Sequence, residues 1–142
     1  EVILMKHFEI REKQDKINQT DYWDCRILDL QILYFGDEVH IYIESYNENK
    51  VDLEECWKVS FLACASLNYE TDAQNRKEFK VKDFTQNHLY TCQEISLEYY
   101  DGSFFQTRIV LEGLVKFNII SRDVTVERIK LSEHDFFWKS TF

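Results

Sequence analysis

Apolar and polar side chains alternate through much of this chain, and this alternation limits the possible folds more than any other feature. In the clearest example, apolar residues occupy every second position on both sides of a turn: Leu28, Leu30, Ile32 and Tyr34, then Val39, Ile41 and Ile43. A strand points successive side chains to opposite faces, so the pattern predicts two strands. The intervening Phe35-Gly36-Asp37-Glu38 supplies a turn. We therefore expect an antiparallel hairpin.

The alternation returns in later segments, here given by residue number: 57–69, 79–82, 95–99 and 105–119. The first is long for one strand, so we expect it to bend or to cross between sheets. The second, with Phe79 and Val81 between lysines, is typical of a short edge strand. Asp101-Gly102 predicts a tight turn between the last two segments.

Two local features predict irregularities in the strands. Gly113 interrupts the alternation before Val115, and we expect a bulge there. The apolar parity then changes between Val126 and Ile129, which indicates a second bulge.

These segments together predict a mainly β fold, in which an antiparallel meander forms a sandwich or half-barrel. At most one or two short helices are expected, with Asn49–Cys56 and Glu133–Trp138 as the best candidates. The chain has no proline and three glycines, and no linker-like stretch divides it. Residues 1–142 are therefore predicted to form a single globular domain.

The formal charge of −9 restricts the possible partners. A negative field repels phosphate backbones and anionic lipid surfaces, which argues against direct nucleic-acid or membrane binding. The same field attracts a basic protein partner. We expect a cytoplasmic protein, because Val2–Met5 is too short for the apolar part of a secretory signal and the cysteines suit a reducing compartment.

The sequence contains no motif that indicates catalysis, a metal or another cofactor. Cys25, Cys56, Cys64 and Cys92 form no CxxC pair and are interpreted as buried free thiols, with two disulfides as the alternative. The four histidines lack metal-ligand spacing, and no nucleophile elbow or phosphate-binding glycine loop occurs. Cys92 with His88, and Cys64 with His40, are the two pairs from which a small hydrolase could be built.

Tyr22 and Trp23 lie among the carboxylates of Asp21, Asp24 and Asp29. Large aromatic side chains surrounded by charges suit the anchor of a protein interface. The alternative interpretation is that the two rings close one end of the core.

The segment from Tyr22 to Ile27, followed by Tyr34–Glu44, resembles small uncharacterised Bacillus proteins encoded near wall-associated polymorphic toxins. The resemblance is clearest over this hairpin. It implies a non-enzymatic immunity protein that binds a cognate toxin domain and occludes its basic active site.

If the resemblance holds, an acidic face would meet the toxin. The residues predicted to bind the partner are Asp21, Tyr22, Trp23, Asp24, Asp29, Asp37, Glu38 and Glu44. Strand parity does not place all of these carboxylates on one side of the hairpin, so the face should include strand ends and turns. A small-ligand-binding β-barrel and a small hydrolase are the alternative functions, and each would require a deep pocket.

Overall fold

A computed structural model describes residues 2–77 and 80–141, and it confirms a mainly β, antiparallel fold. One helix precedes six strands, which are α1 (Val2–Asn18), β1 (Ile27–Leu33), β2 (Glu38–Asn47), β3 (Lys50–Glu70), β4 (Cys92–Asp101), β5 (Phe104–Leu111) and β6 (Lys116–Lys130). Short 3-10 turns occupy Tyr34–Gly36, Val81–Asp83, Gln86–His88, Leu131–Glu133 and Phe137–Thr141. The predicted hairpin is confirmed as β1 and β2.

The six strands form one open sheet in the order β1-β2-β3-β6-β5-β4. The sheet curls into a half-barrel, so that the backbones next to its two outer strands, β1 and β4, meet at one end. There the Asp24 N–H donates to the Cys92 carbonyl (2.9 Å), the Cys92 N–H to the Cys25 carbonyl (2.8 Å), and the Ile27 N–H to the Tyr90 carbonyl (2.7 Å). We call this junction of residues 24–27 with 90–92 the seam.

The helix α1 covers the inner face of the curved sheet. Its Ile10 and Ile17 are buried in the same cluster as Phe61, Phe105 and Ile119 from the strands. The sequence prediction missed this helix because Leu4, Met5 and Phe8 remain exposed and blur the apolar stripe that marks an amphipathic helix.

A second cluster covers the outer face of β1, β2 and β3. Leu28, Tyr42 and Cys56 pack against Phe136 and Trp138 from the C-terminal segment. Since both faces of the sheet are buried here, apolar residues appear on both parities. This corrects the bulge predicted between Val126 and Ile129, where β6 keeps a regular register with β3 and Ile129 packs on the outer cluster.

Other local predictions are corrected by the structure. Residues 49–56, predicted to be helical, lie in the β2–β3 turn and the start of β3. Asp52 accepts hydrogen bonds from the Glu54 and Glu55 N–H groups (2.9 and 3.0 Å), as a helix cap would, but the strand pairing prevails. The candidate at 133–138 contains no α-helix, and its two ends lie in the 3-10 turns Leu131–Glu133 and Phe137–Thr141.

The predicted edge strand at 79–82 is also corrected in part. Val81 begins a 3-10 turn, while Phe79 lies outside the described residues. The prediction that residues 57–69 bend is confirmed, because β3 has a left-handed residue at Ala63 (φ 53°) and a register shift between Cys64 and Ser66.

A polar cluster ties the loop after β3 to the seam. The Tyr90 hydroxyl donates to Asp72 Oδ1 at 2.5 Å, and Arg76 Nη1 lies 3.2 Å from the same oxygen. Gly113, predicted to be a bulge, instead lies in a turn with φ +94°, where an added Cβ would lie 3.3 Å from the Tyr90 ring.

Burial and the Asp72 carboxylate raise the pKa of Tyr90 to about 12. Desolvation raises the pKa of Asp72, but the hydrogen bonds from Tyr90 and Arg76 outweigh it and leave that pKa below its usual value.

We predict that Asp72→Asn lowers the free energy of unfolding by about 2 kcal/mol at neutral pH. The lowered pKa of Asp72 means that its contribution is present above pH ~4 and is lost as the pH falls through the folded-state pKa. The raised pKa of Tyr90 means that its contribution is present below pH ~10 and is lost as the pH rises towards 12. Urea unfolding should therefore show a stability difference that shrinks at both pH limits. The exposed control Asp83→Asn should show none, and a pH-independent difference would contradict the prediction.

Candidate partner-binding surface

Two aromatic side chains project into solvent from the turn between β1 and β2. Phe35 is fully exposed, at 113% of its reference area, and Tyr34 is 67% exposed. We call residues Tyr34–Asp37 the aromatic turn. Monomeric proteins expose single apolar side chains often, but two adjacent large rings at a turn tip are typical of an interaction surface.

The backbone of the aromatic turn is held in an unfavourable conformation. Tyr34, Phe35 and Gly36 all have positive φ (55°, 61° and 98°). A left-handed conformation costs a non-glycine residue about 1–2 kcal/mol. Two interactions maintain it, because the Asp37 N–H donates to the Tyr34 carbonyl (3.1 Å) and the Asp37 carbonyl accepts from the Cys64 N–H (2.9 Å). Backbone strain of this kind concentrates at functional sites.

Acidic groups accompany the aromatic turn. Asp37 is exposed, and Glu38, at the start of β2, is half-buried with its carboxylate 3.0 Å from His40 Nε2. A hollow of about 440 Å³ separates the turn from Cys64–Leu67 on β3. The residues that line this hollow include Asp37 but no lysine or arginine.

A second acidic and aromatic surface precedes β1. Trp23 is 51% exposed and stacks on the buried Tyr22, with their ring centroids 4.3 Å apart. Asp21 and Asp24 flank it in exposed positions, and Gln93 Nε2 donates to Asp24 Oδ1 at 3.1 Å. We call Asp21, Trp23 and Asp24 the tryptophan patch. It lies at the opposite end of β1 from the aromatic turn, and seven residues of strand separate the two by about 20 Å.

The structure covers three members of the predicted binding face. Glu44 is only 1% exposed and pairs with Arg26, and Tyr22 is buried with its hydroxyl 3.4 Å from the Ile95 carbonyl. Burial raises the pKa of Tyr22. Asp29 is mostly covered, because it accepts a hydrogen bond from the Leu30 N–H and lies 2.6 Å from His134 Nε2. Glu44 and Tyr22 are buried and Asp29 is mostly covered, so the exposed acidic positions among the predicted residues are Asp21, Asp24, Asp37 and partly Glu38.

The pairs proposed for a hydrolase do not form hydrogen bonds with each other. His88 Nδ1 lies 2.8 Å from the Thr85 hydroxyl, and His40 bonds Glu38. Burial raises the pKa of Cys64 to about 11 and that of Cys92 to about 12, so both are protonated near neutral pH. All four cysteines are free thiols.

No deep pocket with converging ligands is found in the described part of the chain. Among residues 2–77 and 80–141, no three His, Cys, Asp or Glu side chains are arranged to hold a metal ion. A mostly apolar hollow beside Tyr69 and Phe84 has a volume of about 140 Å³. Within the same ranges, no helix combines the length and hydrophobicity that a membrane span requires.

Sequence reasoning did not single out Tyr34 and Phe35 as exposed side chains. It assigned Tyr34 to the alternation of the strand and Phe35 only to a turn. The available signal was their position directly before Gly36, because side chains at the tip of a two-strand turn face solvent rather than the core.

Comparison with known proteins places the chain among immunity proteins. No curated protein matches the sequence. A solved structure of an uncharacterised protein from Neisseria gonorrhoeae is similar in fold, with a TM-score of 0.51, 12% identity, and coverage of 75% of this chain and 92% of that one. The model of the family described as Immunity protein PIM7 matches residues 9–132. This match runs from α1 past the end of β6, and the chain therefore belongs to the PIM7 immunity protein family.

Proposed function

We propose that this protein neutralises a cognate toxin in the cytoplasm by binding it through the aromatic turn. Membership of an immunity protein family implies a toxin partner. Proteins of such families generally act without catalysis. The narrower expectation, that the toxin is of the wall-associated polymorphic type and that its basic active site is occluded, is part of this proposal. The observation that carries it is the exposure of Tyr34 and Phe35 on a strained backbone.

The aromatic turn has the properties of an interface anchor. Aromatic side chains bury a large area for little loss of side-chain entropy, and they dominate binding energy where they become desolvated. Phe35 contributes no packing to the free protein, since it is fully exposed. The ring is therefore available to enter a pocket on another molecule.

Charge supports a basic partner. The protein carries a net charge of −9, and Asp37 and Glu38 lie directly beside the aromatic turn. Carboxylates around an aromatic anchor steer an oppositely charged surface into contact and hold its orientation. A toxin that acts on an anionic substrate has a basic groove, and an acidic turn inserted there would exclude that substrate by occupying its place.

The test is binding to a catalytically inactive toxin domain encoded by the adjacent gene. We predict a complex whose association rate constant falls at least about tenfold between roughly 0.05 and 0.5 M NaCl, because screening shortens the range of the attraction. Stopped-flow or surface-plasmon measurements check this. Co-expression with the active toxin should also restore growth.

Variants with neutral side chains at Asp37 and Glu38 test whether these two charges speed association with the toxin domain. Asp37→Asn with Glu38→Gln should slow association and flatten the salt dependence. The matched double variant Glu98→Gln with Asp101→Asn removes the same charge from β4 and should have a smaller effect. Salt-independent association would rule out the electrostatic part of the proposal, and the absence of any complex would rule out this toxin as the partner.

A further inference from the structure

One stretch of the sheet has an unpaired strand edge beside the aromatic turn. The pairing of β3 with β2 ends at Leu62, whereas its pairing with β6 on the other side continues to Glu70. Cys64 is still bonded to the aromatic turn through the Asp37 carbonyl. Beyond it, within residues 2–77 and 80–141, no loop or side chain hydrogen-bonds the backbone of Ala65–Tyr69, which we call the bare edge.

Parts of other edges in the sheet are covered by side chains. On β4, the Gln14 amide donates to the Ile95 carbonyl and accepts from the Leu97 N–H, both at 2.8 Å, as a neighbouring strand would. On β6, Lys13 Nζ donates to the Val124 carbonyl (3.2 Å), and Asp123 accepts from the Val124 N–H (2.8 Å).

Part of the edge of β1 is covered in a similar way. The Trp138 indole N–H donates to the Leu28 carbonyl, and Asp29 accepts from the Leu30 N–H, each at 2.8 Å. Proteins protect exposed edges by such contacts, by charges or by proline, since an unprotected edge pairs with other chains. The bare edge has the sequence Ala-Ser-Leu-Asn-Tyr, and it contains neither a charge nor a proline.

We propose that an extended segment of the toxin pairs with the bare edge as an additional strand. The surface of the toxin next to that segment receives Phe35. This inference rests on the proposed function and specifies how the partner binds. The hollow of about 440 Å³ between the aromatic turn and Cys64–Leu67 leaves room for a strand next to β3. Main-chain hydrogen bonds supply affinity in this mode, and flanking side chains supply specificity.

Charge identifies the occupant as a basic segment. Asp37 and Glu38 lie at the end of the bare edge nearest the aromatic turn, and Glu70 follows the other end, where Lys116 is its register partner on β6. The flanking carboxylates therefore favour a segment with lysine or arginine at its ends and uncharged residues between them.

Proline substitutions test the main-chain pairing. Successive N–H groups of a strand point to opposite sides, so of Leu67→Pro and Asn68→Pro, one removes a donor to β6 and the other a donor at the bare edge. We expect one variant to be destabilised, while the other remains folded and binds the inactive toxin domain at least tenfold more weakly. Asn68→Ala, which keeps the backbone N–H, should bind like the wild type.

Hydrogen exchange of the wild-type complex gives a second readout that does not depend on a variant folding. Amides in Ala65–Tyr69 that face the bare edge should exchange at least tenfold more slowly when the toxin domain is bound. A complex that protects Tyr34–Asp37 but leaves Ala65–Tyr69 unchanged would overturn strand addition and leave the proposed function intact. Failure to form any complex with this toxin domain would overturn both.

Discussion

Replacing Glu44 with alanine is expected to lower the free energy of unfolding by about 3 kcal/mol, although sequence reasoning placed this residue on a binding face. The Glu44 side chain is 1% exposed, and its Oε2 accepts hydrogen bonds from both Arg26 Nε (2.8 Å) and Arg26 Nη2. Removing one partner of a buried pair leaves the other charge unpaired, which costs about 3–5 kcal/mol. We expect the lower end of this energy range because the Arg26 side chain is still 21% exposed.

The position of the pair adds to its importance. Arg26 bridges to Thr91 at the seam, and its Nη1 lies 3.3 Å from the Gln86 carbonyl and 3.4 Å from Asn87 Oδ1. One guanidinium therefore joins β2, the seam and the 3-10 turn that precedes β4. Loss of Glu44 should loosen all three contacts together.

Chemical denaturation of the purified protein measures the effect. Glu54→Ala is the matched control, because Glu54 is an exposed glutamate on β3 and should change the free energy of unfolding by less than about 0.5 kcal/mol. The double variant Arg26→Met with Glu44→Leu should recover part of the loss, since it removes both buried charges. A loss below about 1 kcal/mol for Glu44→Ala would contradict the assigned role.

Replacing Phe35 with asparagine is expected to weaken toxin binding by about 30-fold or more without lowering the stability of the free protein. A central aromatic anchor contributes about 2 kcal/mol or more, and each 1.4 kcal/mol corresponds to a tenfold change in affinity. The ring is fully exposed, so its removal creates no cavity. Asparagine tolerates the left-handed conformation found here (φ 61°), and the free energy of unfolding should stay constant or rise by up to about 1 kcal/mol.

Two measurements on the same variant separate binding from folding. Calorimetric titration with the inactive toxin domain gives the affinity, and thermal unfolding gives the stability. Tyr100→Asn is the matched control, because Tyr100 is an exposed aromatic residue near the β4–β5 turn and lies outside the proposed surface. Unchanged affinity for Phe35→Asn would remove the aromatic turn from the interface, and a clear loss of stability would show that the ring packs within the free protein.

The sequence predicted strands best where one face of the strand is buried and the other is exposed to solvent. β1 and β2 were predicted correctly although β2 is buried on both faces from Val39 to Ser45, because polar His40 and Glu44 still alternate with Val39, Ile41 and Ile43. The condition of one buried face holds along β5, and the elements around Asp101-Gly102 were predicted correctly. It fails for Ile129, which faces a second apolar cluster built from the distant residues Phe136 and Trp138. Alternation alone does not reveal which strands are covered twice.

The candidate site was less accessible to prediction, because exposure depends on contacts between distant residues. Glu44 and Trp23 both lie in strand or turn segments of mixed polarity, yet Arg26 holds one inside while the other remains on the surface. The family resemblance indicated the class of protein. It did not distinguish carboxylates that stabilise the fold from carboxylates that meet a partner.

In the aromatic turn, the residues that fix the backbone conformation differ from the side chains that are exposed to a partner. Its conformation depends on Gly36 and on the hydrogen bond between Cys64 and Asp37, whereas the ring of Phe35 is fully exposed and Tyr34 is mostly so. Evolution can therefore exchange these two side chains without rebuilding the scaffold. For the proposed toxin binding, these are two positions at which recognition can change at little cost to folding.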